Sequence, residues 1–85
     1  MEKQWVLYIL ECKDGTLYTG ITDDLDRRLA AHRAGKGAKY TRGRGPLTLR
    51  YVEKCEDRPH ALRREYAVKQ LTKLEKLALC QKNTI

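Results

Sequence analysis

Two side chains that could act on an anionic substrate occur where a purely structural role does not explain them. In the helix predicted from Leu25 to Ala34, about 100° per residue places His32 about 20° from Leu25 and Arg28 about 60° from it. An imidazole and a guanidinium therefore flank the apolar stripe that must face the core. Imidazole can carry a proton near neutral pH, and guanidinium can bind a phosphate oxygen through paired hydrogen bonds. Two amphipathic side chains whose stems cover the core are the alternative.

A carboxylate lies among apolar neighbours on the second predicted helix. With Ala61 as the reference direction, Val68 lies about 20° to one side and Glu65 about 40° to the other. An unpaired carboxylate there is costly, so Glu65 must form an ion pair, stay protonated or bind a cation. A structural salt bridge, for example with Arg28, is the alternative to a metal site.

The directions of Tyr8 and Tyr18 depend on the register of a hairpin, because a slip of one residue moves side chains to the other face of the sheet. A two-residue loop, Asp14-Gly15, pairs Tyr8 with Ile21 and puts Tyr18 on the opposite face.

A three-residue loop, Lys13–Gly15, pairs Tyr8 with Gly20 instead, and both phenols then share one face. We predict this second register, since Gly20 leaves room for the ring of Tyr8 and the two hydroxyls converge beside Arg28. Two ordinary strand tyrosines are the alternative.

The elements that must position these residues follow from apolar patterning, turn residues and helix caps. These sequence patterns predict one small α+β domain, residues 1–85, with a three-stranded antiparallel sheet flanked by helices in the order ββαβαα. The predicted strands are Trp5–Leu10, Leu17–Ile21 and Leu47–Cys55; the predicted helices are Leu25–Ala34, Arg58–Leu71 and one that begins at the capping box Thr72–Glu75 and ends near Cys80.

Composition indicates the class of partner. A chain of 85 residues has no room for a two-domain enzyme. Its 18 Lys and Arg against 11 Asp and Glu give a net charge of +7, which favours a polyanion such as nucleic acid. No obligate protein partner is evident from the sequence.

The cysteines and the apolar runs indicate the compartment. Cys12, Cys55 and Cys80 are odd in number and lack metal-site spacing, so we expect neither a disulfide framework nor a zinc site, and a reducing cytoplasm fits best. No segment has the pattern of a signal peptide or the roughly 18 apolar residues of a membrane span, so we expect a soluble protein that does not enter a membrane.

A glycine-rich basic segment, residues 35–46, reads as a flexible cationic loop. Its side chains would follow a nucleic-acid backbone, and its tyrosine would stack on a base or enter the site. The predicted binding residues are Lys36, Lys39, Tyr40, Arg42 and Arg44, extended by Arg63, Lys69 and Lys73. A merely solvated basic loop is the alternative.

Five positions follow one another in a pattern that matches a known family. They are Tyr8 ending Val6-Leu7-Tyr8, Tyr18 opening Tyr18-Thr19-Gly20, Arg28 within Leu25–Leu29, His32 one turn later and Glu65 ending Ala61–Glu65. In these the chain resembles the GIY-YIG nuclease superfamily, and most closely its short, stand-alone bacterial members of the YhbQ type.

The resemblance implies a metal-dependent endonuclease that hydrolyses phosphodiester bonds in DNA, with a role in repair or recombination. It makes Tyr18 the leading candidate for the general base and Glu65 the ligand of a single Mg²⁺ or Mn²⁺ ion. Arg28 would bind phosphate and favour phenolate, while Tyr8 and His32 would orient water or phosphate.

Several active members also carry an asparagine after the glutamate helix, for which Asn83 is the candidate. A non-catalytic nucleic-acid-binding module on the same fold is the main alternative function. A protein-interaction domain is a third.

Overall fold

The computed structural model describes residues 4–82. This part of the chain has the expected α+β architecture, in the order ββαβαα, with a short 3₁₀ turn at Lys39–Thr41. The strands are β1 (Trp5–Glu11), β2 (Leu17–Thr22) and β3 (Thr48–Cys55); the helices are α1 (Leu25–Arg33), α2 (Arg58–Lys69) and α3 (Lys73–Lys82).

Each helix begins at a residue whose side chain satisfies a free backbone amide. Asp24 caps α1 by accepting from the amide of Arg27, and Asp57 caps α2 by accepting from the amide of His60. Thr72 and Glu75 form the expected reciprocal capping box of α3.

The predicted bounds differ from the observed ones mainly at the carboxyl ends of helices. Helix α2 ends at Lys69 rather than Leu71, while α3 continues to Lys82 rather than ending near Cys80. Helix α1 ends one residue early, at Arg33. Composition alone does not fix where the last turn of a helix frays.

The sheet order β2-β1-β3 makes β1 the central strand, as its continuous apolar run predicts. Alternate residues of β1 enter two separate cores. Leu7 and Ile9 pack toward α2, whereas Tyr8 and Leu10 pack toward Leu29 of α1. The phenol of Tyr8 therefore points to the α1 side of the sheet.

The register of β1 with β2 is the second of the two expected alternatives. Tyr8 pairs with Gly20 and Leu10 pairs with Tyr18, so the two tyrosines lie on one face of the sheet. The turn closes through the amide of Gly15, which donates to the carbonyl of Cys12 at 2.9 Å, and Gly15 has φ of +83°. A positive φ at this point is what a three-residue turn requires.

The glycine-rich segment at 35–46 is held in place, contrary to the expectation of a flexible loop. It contains the 3₁₀ turn at Lys39–Thr41 and is attached to the β1–β2 turn at two points. The amide of Lys13 donates to the carbonyl of Arg44 at 2.8 Å. The Arg44 guanidinium forms an ion pair with Asp14 at 2.5 Å. The hairpin turn supplies partners that composition could not reveal.

The close approach at Gly20 gives a direct test of the register. An added Cβ at Gly20 would lie 2.5 Å from the Tyr8 hydroxyl and 3.1 Å from the Tyr18 ring, so Gly20→Ala should force Tyr8 out of its buried position. We expect urea unfolding to give a loss of about 1–3 kcal/mol, the usual range for overpacking.

Gly45→Ala is the matched control, because nothing lies within 4 Å of a Cβ built there. It should change the free energy of unfolding by less than about 0.5 kcal/mol. Equal stability of the two variants would contradict the register.

Candidate active site

Tyr8, Tyr18 and Arg28 meet on the α1 side of the sheet. The two tyrosine rings lie 6.4 Å apart between centroids. The guanidinium of Arg28 approaches the hydroxyls of both and interacts with each. Tyr8 is fully buried, whereas Tyr18 is only partly so. The two phenols therefore face different surroundings although they share one cation.

The Tyr8 hydroxyl is also joined to His32, and a chain of hydrogen bonds fixes the direction of each proton. The hydroxyl of Thr41 donates to the carbonyl of Ala38 at 3.0 Å, since a carbonyl only accepts. The Thr41 oxygen therefore accepts from Nδ1–H of His32 at 2.8 Å. In a neutral ring Nε2 is then unprotonated, and it accepts from the hydroxyl of Tyr8 at 2.9 Å.

Burial determines the charge states of this network. Removal from water raises the pKa of Tyr8, and this outweighs the hydrogen bond from Arg28, which lowers it. Desolvation also lowers the pKa of His32, and the positive charge of Arg28 lowers it further. A protonated phenol and an uncharged imidazole result. Both side chains are inaccessible to solvent, at 0% and 2% exposure, so in this conformation they position their neighbours rather than contact water or phosphate directly.

Tyr40 contributes a third tyrosine ring, on the open side of the cluster. It stacks on Tyr18 with 5.9 Å between centroids and 28° between ring planes. The guanidinium carbon of Arg44 lies 4.5 Å from the centroid of the Tyr40 ring. The Tyr40 ring is therefore held by Tyr18 and Arg44. Of the two roles expected for Tyr40, this position favours a place in the site over stacking on a base. Arg44 is likewise committed to Tyr40 and Asp14.

Glu65 approaches the cluster from α2. Its negative charge contributes to raising the pKa of Tyr8, after burial and the charge of Tyr18. Its ion pair is with Lys69, one helical turn away, at 3.2 Å, rather than with Arg28. The Lys69 side chain is 50% exposed, and an exposed pair at this spacing contributes only about 0.3–0.5 kcal/mol. Lys69 therefore does not seal the carboxylate from other cations.

The donor set suits one kind of metal. Within residues 4–82, no group of three or more His, Cys, Asp or Glu side chains could hold an ion together. Glu65 is a hard oxygen donor whose side chain is 22% exposed. Mg²⁺ is commonly held by one or two carboxylates, with waters and substrate phosphates completing its shell. The residues fit such an ion and do not fit a metal that requires a full protein cage.

The remaining predicted binding residues are not all on one surface. Lys36, Lys39 and Arg42 are exposed on the segment beside Tyr40. Arg63 is exposed on α2, but it lies about 160° around the helix from Glu65. Its part in binding stays a prediction, and Asn83 lies outside the described residues.

Sequence reasoning missed two residues that support His32. Thr41 accepts its Nδ1–H, and Gly37 lies against the ring, where an added Cβ would come within 2.7 Å of Cγ. Both belong to the glycine-rich segment at 35–46. A threonine and a glycine 9 and 5 residues after His32 carry no sequence signal of their own.

A second missed feature is the clamp that orients α2. Arg64, next to Glu65, binds both carboxylate oxygens of Glu53 on β3, at 2.5 and 2.8 Å. Hydrogen bonding from Arg64 lowers the pKa of Glu53. The Tyr51 hydroxyl donates to the same carboxylate at 2.6 Å, and burial together with that carboxylate raises the pKa of Tyr51 to about 12. The clamp fixes the rotation of α2 that presents Glu65 to the site.

Comparison with known proteins agrees with this arrangement. The model of the GIY-YIG catalytic domain matches residues 4–78. The chain belongs to the GIY-YIG family. A UPF0213 protein of Halobacterium salinarum is 56% identical over 73 residues, which are 86% of this chain and 95% of that protein. A UPF0213 protein of Oceanobacillus iheyensis is 51% identical over 95% of this chain and 94% of its own length.

A solved structure shares this GIY-YIG fold. The solution NMR structure of the UPF0213 protein BH0048 from Bacillus halodurans has a TM-score of 0.62 and 48% identity, covering 95% of this chain and 86% of that one. The relatives are short, as the resemblance to short GIY-YIG members predicted. Membership in this nuclease family implies a nucleic-acid substrate. Among residues 4–82, no helix is long and apolar enough to cross a membrane.

The buried His32 predicts how stability depends on pH. Its folded-state pKa is lower than the ordinary value of 6.5, so below pH 6.5 the unfolded chain binds more protons than the folded one. Stability is therefore complete above about pH 6.5 and is lost as the pH falls toward the lower folded pKa, by up to about 1.4 kcal/mol per pH unit. Urea unfolding between pH 8 and 5 measures this decline.

In His32→Gln the free energy of unfolding should depend much less on pH. The control is His60→Gln, which alters a histidine at the start of α2 and should keep the wild-type pH dependence. A decline that survives in His32→Gln would contradict the assignment.

Proposed function

We propose that this protein is a divalent-metal-dependent endonuclease that hydrolyses phosphodiester bonds in DNA, with a role in repair or recombination, and that it acts in the cytoplasm. The observation that carries the proposal is the convergence of Tyr8, Tyr18 and Arg28, with Glu65 near enough to influence Tyr8. Phosphodiester hydrolysis needs an activated water, neutralised phosphoryl oxygens and a stabilised leaving oxygen. A phenol, a guanidinium and a carboxylate can meet these needs.

The two tyrosines take different roles. Tyr8 is a buried phenol whose proton is directed to His32, so it holds Arg28 and the His32 ring in place. Tyr18 is the more open of the two and interacts with the same guanidinium. Tyr18 is therefore the group we assign to receive the proton of the attacking water, with Arg28 binding a non-bridging phosphate oxygen.

Glu65 would hold one Mg²⁺ or Mn²⁺ ion. When bound, such an ion neutralises charge on the scissile phosphate and the leaving oxygen. Lys69, already 3.2 Å from Glu65, would be free to turn toward a phosphate once the carboxylate is engaged. The exposed position of Lys69 on α2 allows that movement.

A non-catalytic nucleic-acid-binding module is the second candidate. The observation that favours it is the Glu65–Lys69 pair, which occupies the proposed metal ligand with a cation of the chain itself. Under that alternative the basic surface would bind DNA in a salt-dependent way and cut nothing.

Glu65→Gln separates the two functions. With Mg²⁺ or Mn²⁺ and labelled single-stranded, nicked and branched DNA, we expect this change to reduce cleavage about a hundredfold or more, since it removes the metal ligand while keeping the shape of the side chain. DNA affinity measured in EDTA should change by no more than about twofold.

Glu56→Gln is the control, because it makes the same change at an exposed position just after β3. It should cut at the wild-type rate. Cleavage by Glu65→Gln at that rate, or no cleavage by the wild-type protein on any substrate, would contradict the proposed enzyme.

A further inference from the structure

A trough runs along the outer edge of β2 and extends from Tyr18 away from Arg28. One depression of about 370 Å³ is lined by Leu17, Tyr18, Thr19, Tyr40, Lys69 and Lys76. A second, of about 190 Å³, is lined by Thr16, Leu17, Tyr40, Lys73 and Lys76. Since the two share three lining residues, they form one continuous trough that begins at Tyr18 and extends toward the hairpin turn.

The two walls of the trough differ in chemistry. One wall is Tyr40, which Tyr18 and Arg44 hold in place. The other carries three lysines from two helices, Lys69 of α2 and Lys73 and Lys76 of α3. Lys73 and Lys76 are three residues apart on α3, so they project from neighbouring turns on one side of that helix. A row of ammonium groups facing an aromatic wall suits a chain of phosphates.

The floor of the trough contains an unmet polar group. Thr19 lines the larger depression and is 3% exposed. Its hydroxyl has no hydrogen-bond partner among the side and main chains of residues 4–82. A buried hydroxyl without a partner is unfavourable, so Thr19 is a polar group that the described chain leaves unsatisfied beside this trough.

We infer that this trough is a binding subsite for the nucleic-acid backbone next to the scissile phosphate, with Lys73 and Lys76 as its phosphate contacts. The inference rests on the proposed function, which it extends by giving the path of the substrate strand. The strand leaves the Tyr18 and Arg28 cluster along β2 toward the β1–β2 turn. Helix α3 thereby has a binding role in addition to packing Cys80 into the core.

The test is equilibrium binding of a fluorescein-labelled 30-nucleotide DNA, single-stranded and duplex, in EDTA so that no cleavage occurs. The dependence of affinity on salt counts phosphate contacts, because each one adds about 0.7–0.9 to the slope of log K against log[salt]. The Lys73→Gln/Lys76→Gln variant should lose about 1.4–1.8 from the slope and bind about tenfold more weakly at low salt.

The control is Lys54→Gln/Arg58→Gln, which removes two exposed charges, one on β3 at the opposite edge of the sheet and one at the start of α2. This control should keep the wild-type slope. The Lys73→Arg/Lys76→Arg variant should also keep that slope, because both positive charges remain. Equal slopes for the two glutamine variants would overturn the trough as a subsite and leave the proposed function intact. No DNA affinity in the wild-type protein at moderate salt would overturn both.

Discussion

The structure of the site depends on how the fully buried hydroxyl of Tyr8 is satisfied. A phenol without partners in a core costs about 1–3 kcal/mol, and here the partners come from α1, in Arg28 and His32. His32 in turn needs Thr41, which lies in the segment after α1. One buried oxygen on the central strand therefore specifies the placement of a helix and of the loop that follows it.

This arrangement gives the two family tyrosines unequal environments. Burial keeps Tyr8 protonated and His32 uncharged, because removal from water disfavours the ionised form of each. Arg28 is then a cation that both phenols share. The buried position of Tyr8 also explains the glycine at position 20. A larger residue there would displace the Tyr8 ring.

Much of this fold could be predicted from the sequence, since the apolar run of β1, the caps of the helices and the Lys13–Gly15 turn are local signals. The shared face of Tyr8 and Tyr18 was also predictable, because turn length fixes register. What local signals could not give are contacts made only after folding. Examples are the contacts of Thr41 with His32, Arg64 with Glu53, and Lys69 with Glu65. Only the last pair, four residues apart on one helix, has a spacing that the sequence could have suggested.

The glycine-rich segment at 35–46 differs from the predicted flexible loop for the same reason. Its glycines and basic residues are typical of mobile segments, yet Gly37 is needed for contact with His32, and Arg44 finds its partner in Asp14 of a turn 30 residues earlier. Composition describes what an isolated segment would do. It does not describe what the hairpin beside it provides.

The protonation of the His32 ring tests the central claim most directly. A long-range ¹H–¹⁵N correlation spectrum at pH 7, assigned with His32→Gln, distinguishes the two neutral tautomers and the imidazolium. The network predicts a proton on Nδ1 and none on Nε2, the nitrogen that accepts from Tyr8. A proton on Nε2, in either the other tautomer or the imidazolium, would contradict it.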